Sequence, residues 1–209
     1  MGFASSSCSF SRFRIIDQAT ESLLREIPER LLKFAFRDIE EMPEMTSHGW
    51  VCFEDLLDSQ WETAPPLKGD YAVFSLRLDT RKIPAGVIKK HLALAIRDEK
   101  ARLSEAGKKF ISRERKKELK ELVMLKLRRH FLPVPAEFNV IWNLGKGEIW
   151  FASVQSRMID LFMEYFLATF ELHIEQLTPY NLATAMLSDD MHTMLDAMQP
   201  TQFVATEIS

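Results

Sequence analysis

Hydrophobic and polar residues alternate in several short stretches of the chain, and this alternation predicts β-strands. The first stretch carries Phe10, Phe13 and Ile15, with Arg12 and Arg14 between them. Further alternating or apolar stretches follow at residues 33–36, 49–53, 71–79, 138–142, 149–152 and 172–177. Between two of them, residues 145–147 read Gly-Lys-Gly, which predicts a tight β-hairpin turn.

Apolar residues spaced three and four positions apart predict helices elsewhere. One helix is expected over residues 20–32, with Thr20 as its N-cap and with Pro28 either kinking it or starting a second helix. Ser156 is expected to cap a later helix, and Thr178 to cap one that ends near residue 187. The residues after 188 are expected to fray.

Two longer helices are predicted between these regions, one from Pro84 toward a break at Gly107 and one from the N-cap Ser112 to about residue 131. The first is expected to present an apolar face formed by Val87, Ile88, Leu92, Ala95, Ile96 and Leu103. The second is expected to bury Leu119, Leu122, Val123, Leu127 and Phe131. Each helix would be about 30 Å long, so the pair is expected to project as an antiparallel helical hairpin.

These elements predict an α+β fold with a largely antiparallel sheet, helices packed against one face, and a projecting helical hairpin. We expect a body formed by residues 1–80 and 132–190, a hairpin arm at 81–131 and a C-terminal tail at 191–209. At 209 residues and 46% hydrophobic composition, the chain is long and apolar enough to bury a sizeable core.

Charge distinguishes the arm from the rest of the chain. Residues 81–129 hold 17 Lys or Arg and six Asp or Glu, a formal excess of eleven positive charges. The remaining residues hold ten basic and 24 acidic side chains, so the total of −3 conceals a basic arm on an acidic body. Such an asymmetry indicates a polyanionic partner.

The positive excess of the arm has two explanations. Either the arm binds phosphates, or Lys and Arg occur there only because they are good helix formers on a solvated surface. Glutamates in the second helix offer some ion pairs, but too few to offset the excess. The predicted DNA-binding residues are Lys89, Lys90, Arg97, Lys100, Lys108, Lys109, Arg113, Lys116, Lys117 and Lys120. Arg128 and Arg129 rank below them, and Phe110 at the expected tip either stacks on a base or covers the turn.

Other kinds of chemistry have little support in the sequence. Two cysteines form no disulfide or zinc pattern, and no apolar run is long enough to cross a bilayer, so we expect a soluble, cytoplasmic protein. We predict no cofactor, no metal and no catalytic residue. The densest acidic candidates for a two-metal nuclease are Asp55 with Asp58, and Asp189 and Asp190 with His192.

Several short motifs occur along the chain in a fixed order. They are Ala35-Phe36, Gly49-Trp50-Val51, Ile83-Pro84, Val87-Ile88-Lys89, Leu132-Pro133, the stretch from Trp142 to Ser153, and Leu177-Thr178-Pro179. In order and character these motifs, over residues 3–190, resemble the bacterial recombination-associated protein RdgC family.

The resemblance implies a sequence-nonspecific DNA-binding protein that restrains recombinase activity. Members of that family form ring-shaped homodimers whose positively charged hole encircles duplex DNA, and an exonuclease activity has also been ascribed to them. Longer members continue well beyond the segment that matches Thr178-Pro179, so a closed ring is not expected of this chain alone.

From the charge pattern and the resemblance we expect a non-enzymatic, nucleoid-associated DNA-binding homodimer that acts in recombination control. The expected partner is double-stranded DNA, with single-stranded DNA and a recombinase filament as further candidates. A metal-dependent nuclease and a protein-interaction module that binds an acidic partner remain the alternatives.

Overall fold

The computed structural model describes residues 2–3, 5–40, 44–105 and 110–199. The strands of this part of the chain are β1 (Ser11–Ile15), β2 (Thr46–Val51), β3 (Leu67–Lys68), β4 (Tyr71–Thr80), β5 (Val134–Asn143), β6 (Glu148–Phe151) and β7 (Ile174–Gln176). Its helices are α1 (Glu21–Lys33), α2 (Ala85–Glu105), α3 (Arg113–Arg128), α4 (Ser156–Phe170), α5 (Pro179–Met186) and α6 (Asp189–Ala197). The predicted α+β class is confirmed.

The strands form one antiparallel sheet in the order β2-β4-β5-β6-β1-β7, with β3 paired to β4 in a hairpin. The two ten-residue strands β4 and β5 pair along their whole lengths, from Tyr71 opposite Asn143 to Thr80 opposite Val134. The arm leaves the body at the end of β4 and returns at the start of β5. These two paired strands therefore fix the positions at which both ends of the arm are attached.

One face of the sheet is covered by α1 and α4, and aromatic side chains fill the space between. Trp50, Trp142 and Phe162 are fully buried there. The Phe162 ring stacks on Phe151 with a centroid distance of 4.3 Å. The indole Nε1 of Trp50 donates a hydrogen bond of 2.8 Å to the Thr169 hydroxyl, so this polar atom is satisfied inside the core.

A buried ion pair lies on the opposite face of β4. Arg77 and Asp79 point the same way because they are two residues apart on a strand. The guanidinium donates two hydrogen bonds of 2.8 Å to the two carboxylate oxygens and also stacks on the Phe36 ring at 4.0 Å. Its Nη1 donates to the carbonyl of Leu56, which ties the loop after β2 to this face.

The arm consists of α2 and α3, which pack chiefly against each other. None of the described residues of α2 is buried, and the predicted apolar face of this helix is half-buried. In α3, Leu119 and Leu127 are buried as expected. Leu122 is 56% exposed, so its predicted burial was wrong. A two-helix hairpin has no third layer, and α2 covers only one side of α3.

Other differences from the sequence predictions have local causes. A single helix, α1, runs through Pro28 because Ile27 and Leu31, before and after the proline, are both anchored in the core. Residues 33–36 form only an isolated bridge between Ala35 and Trp50 rather than a strand. Part of the expected tail, residues 189–197, forms the helix α6. Among the described helices, none has the length and apolar composition needed to cross a membrane.

The aromatic core predicts a large difference between two phenylalanines. Phe162→Ala should lower the free energy of unfolding by about 3–5 kcal/mol, because the ring is fully buried and its loss leaves a cavity. Phe110→Ala is the control, since that ring is 87% exposed and its removal should change stability little. Urea denaturation followed by circular dichroism measures both, and equal effects would contradict this description of the core.

Candidate nucleic-acid interface

The arm is attached to the body through Arg81, the residue that follows β4. Its side chain is only 2% exposed, and it donates hydrogen bonds to backbone carbonyls on two separate segments. One is the carbonyl of Phe131, just after α3, at 2.8 Å. The others belong to Ile39, Glu40 and Glu44 in the loop before β2, at 2.6 to 2.7 Å. Arg81 therefore joins both ends of the arm to the body and is not available to a ligand.

A second arginine joins the two helices to each other. Arg115 of α3 donates hydrogen bonds to Glu99 of α2, the shorter at 2.7 Å, and to Glu118 one turn further along α3 at 2.9 Å. The hydrogen bond from Arg115 lowers the pKa of the Glu99 carboxyl, and the two carboxylates raise the pKa of Arg115. Two of the six acidic residues of the arm are thus held by one arginine.

The predicted DNA-binding residues on α2 and α3 remain exposed. Two of the ten, Lys108 and Lys109, lie outside the described residues. Within the described part of the chain, the other eight form no ion pair with a carboxylate: Lys89, Lys90, Arg97, Lys100, Arg113, Lys116, Lys117 and Lys120. Among the glutamates of α3, Glu118 binds Arg115 rather than one of these lysines.

Helix geometry gathers most of these cations on one side of the arm. A helix turns 100° per residue, so Lys89 and Lys100, eleven residues apart, lie on one stripe of α2 about three turns apart. The remaining pair on α2, Lys90 and Arg97, lies toward its outer edge. We call the shared side the basic face, and its members are Lys89, Lys100, Arg113, Lys116, Lys117 and Lys120. It follows the α2 axis for about 16 Å.

The opposite side of the arm is apolar, and the sequence interpretation missed it. A groove with a volume of about 410 Å³ runs between the helices there, and Leu94 and Leu122 contribute to its floor. None of the ten predicted residues lines this groove. The exposed Leu122 and Leu125 continue it to a basic end formed by Lys126, Arg129 and His130. We call this surface the apolar groove. Its only signal in the sequence was the position of Leu122 and Leu125 in α3, where they form a second apolar stripe.

The remaining sequence candidates are not brought together with the basic face into one site. Phe110 is 87% exposed, and the turn that it was predicted to cover lies outside the described residues. The hairpin turn at residues 145–147 joins β5 to β6 as expected, with Gly147 in the left-handed region at φ 65°. Trp61 packs against the core, whereas Trp150 is 38% exposed on the open face of the sheet.

Two of the acidic residues considered for a nuclease, Asp55 and Asp58, have local partners. Asp58 accepts hydrogen bonds from the backbone of Gln60 and Thr63, and these bonds lower the pKa of its carboxyl against the effect of desolvation. Asp55 accepts one from Leu57. His192 contacts the carbonyl of Thr184. In the part of the chain that the structure describes, no three His, Cys, Asp or Glu side chains are grouped as metal ligands.

Comparison with known proteins adds no assignment to this geometry. No protein-family model matches the chain, and no curated protein is significantly similar to it. The resemblance to the RdgC family therefore stays a prediction that rests on the motifs quoted above. The function has to be argued from the arm itself.

The Glu99–Arg115 contact predicts a measurable titration. The pKa of Glu99 is lower in the folded protein than in the unfolded chain. The contact therefore stabilises the fold fully above the pKa of the unfolded chain, and this stabilisation is lost as the pH falls through the pKa of the folded protein. In an NMR titration, the Glu99 carboxyl should titrate below its ordinary value, and Arg115→Gln should raise that midpoint. An unchanged midpoint in the variant would show that this contact does not form in solution.

Proposed function

We propose that the protein binds double-stranded DNA without sequence specificity through the basic face of the arm. The observation that carries this proposal is the exposure of six cationic side chains on one side of a hairpin, without carboxylate partners in the described residues. Cations in this state neutralise phosphates and release the counterions condensed on DNA. Helices without base-reading contacts provide affinity and position rather than sequence recognition.

The arrangement of acids supports this interpretation over that of a generic solvated helix pair. A helix surface stabilised by its own charges alternates signs and pairs them at intervals of three or four residues. Here Arg115 takes up Glu99 and Glu118, while the lysines around it have no such partner among the described side chains. The acidic body favours approach of DNA to the arm, because negative surfaces repel phosphates.

The biological role that fits these properties best is control of recombination by a nucleoid-associated homodimer. This part of the proposal rests on the motif resemblance rather than on the arm. A protein that coats duplex DNA without sequence preference limits the access of recombinase filaments to it. We propose no chemical reaction, and DNA incubated with the protein and Mg²⁺ or Mn²⁺ should be recovered intact.

Salt dependence tests the proposal directly. The logarithm of the association constant for a duplex oligonucleotide should fall linearly with the logarithm of salt concentration. Replacing Lys116, Lys117 and Lys120 together by Gln should weaken binding and reduce the slope by about 2.7, or roughly 0.9 for each phosphate that is no longer neutralised. Fluorescence anisotropy over a salt series measures both quantities.

A matched variant on the body controls for the change in net charge. Replacing Arg12, Arg25 and Lys33 by Gln removes the same number of positive charges from exposed positions outside the arm. This variant should keep the wild-type slope. The proposal fails if wild-type protein does not bind duplex DNA at low salt, or if both triple variants change the slope equally.

A further inference from the structure

The C-terminal helix α6 exposes a stripe of methionines. Met191, Met194 and Met198 are spaced three and four residues apart, so they share one side of this helix. They are 44%, 65% and 72% exposed. Large apolar side chains grouped in this way on a surface indicate an interaction site, and unbranched methionines adapt well to a partner surface.

Contacts with α5 fix the direction in which this stripe points. Tyr180 of α5 donates a hydrogen bond of 2.5 Å to the Asp196 carboxylate. His192 lies 3.0 Å from the carbonyl of Thr184, also on α5. At 100° per residue, Asp196 and His192 lie on the side of α6 roughly opposite to Met194 and Met198. The stripe therefore faces away from the helix that supports α6.

One acidic side chain borders the stripe. Asp190 is exposed and adjoins Met191 and Met194 on the helix surface. Asp196 faces α5 instead, and residues 176–199 contain no Lys or Arg. The α6 surface is thus an apolar stripe with one carboxylate at its border.

The apolar groove of the arm has the complementary properties. Leu122 and Leu125 are 56% and 42% exposed and line its open part. Residues 126–130 read Lys-Leu-Arg-Arg-His, so the end of the groove near the body is basic, and Asp98 of α2 also lines the groove. Leu94 and Ala95 of α2 extend the apolar floor between the helices.

We propose that the methionine stripe of α6 docks into the apolar groove of a second copy of this chain. Met191, Met194 and Met198 cover Leu122 and Leu125, and Asp190 meets Lys126 and Arg129. In a two-fold symmetric pair each α6 enters the groove of the other copy, so the contact occurs twice. This deepens the homodimer proposed above by naming its interface, and it does not depend on DNA binding.

The two sides of the arm then make different contacts. The docked α6 occupies the groove side, and the six cations of the basic face stay open to solvent. A dimer assembled in this way presents two basic faces on one particle. Two linked faces raise the effective affinity for a single duplex when both reach it.

Sedimentation velocity over a concentration series tests the interface. Wild-type protein should form a dimer, and Leu122→Glu and Met194→Glu should each raise the dimer dissociation constant at least tenfold. Leu57→Glu is the matched control, because Leu57 is 74% exposed on the body; it should leave the constant unchanged. Circular dichroism should show all three variants folded, since each replaced side chain is exposed. A monomeric wild type, or full dimerisation of both interface variants, would overturn the proposal.

Disulfide trapping shows which surfaces meet. In a Cys8→Ser background, a chain carrying Leu122→Cys is mixed with a differently tagged chain carrying Met194→Cys and oxidised mildly. The remaining native thiol, Cys52, is buried at 1% exposure and should not interfere. The mixed disulfide should form faster than with a Leu57→Cys partner chain. Equal rates would refute the docking of α6 on the groove.

The outcomes for DNA are distinguishable from those for the dimer. Leu122→Glu leaves the basic face intact, so the variant should still bind duplex DNA with an association constant that falls as salt rises. If wild-type protein dimerises through this interface but binds no DNA, the proposed function fails and the interface stands. If wild-type protein binds DNA as a monomer, the proposed function stands and the proposed interface fails.

Discussion

The geometry of the arm depends on one buried guanidinium. Arg81 donates hydrogen bonds to the carbonyl of Phe131 and to the carbonyls of Ile39, Glu40 and Glu44. Buried carbonyls that lose such a donor remain desolvated without a partner, which is costly. A charged donor also binds more strongly than a neutral one. This residue therefore couples the ends of α2 and α3 to the body, and the direction of the arm follows from it.

The basic residues of the arm fall into two groups, those that stabilise the fold and those that remain exposed. Arg81 and Arg115 belong to the positive excess counted in the sequence, but both serve the fold. The cations left for a ligand are the exposed lysines and arginines around them. The groove side of the same hairpin carries exposed leucines instead. A two-helix arm has two free sides, and here they differ in chemistry: one fits phosphates, and the other fits an apolar partner with acidic groups.

Local signals in the sequence predicted much of this structure. The hydroxyls of Thr20, Ser112 and Thr178 accept hydrogen bonds from the backbone at the starts of α1, α3 and α5, as their positions before apolar stretches indicated. Alternation identified the strands β4, β5 and β6 because one face of each carries residues of the aromatic and aliphatic core. These features depend on residues close together in the chain, so a single sequence contains them.

Properties that depend on distant contacts could not be predicted in the same way. Periodicity shows that Leu122 lies on an apolar stripe of α3, but it does not show that no other element covers that stripe. The role of Arg81 required knowing that its side chain reaches residues 39, 40 and 44 as well as residue 131. The residues after 188 were expected to fray, whereas contacts with α5 support the helix α6. Each of these features depends on whether a residue has a partner from a distant part of the chain.

Lysine acetylation rates with and without duplex DNA test the central claim most directly, because mass spectrometry reports each side chain separately. Saturating DNA should slow acetylation of Lys89, Lys100, Lys116, Lys117 and Lys120 on the basic face. It should leave the rates at Lys126 on the groove side and Lys33 on the body unchanged. Protection that is absent from the basic face, or equal on both sides of the arm, would contradict the account.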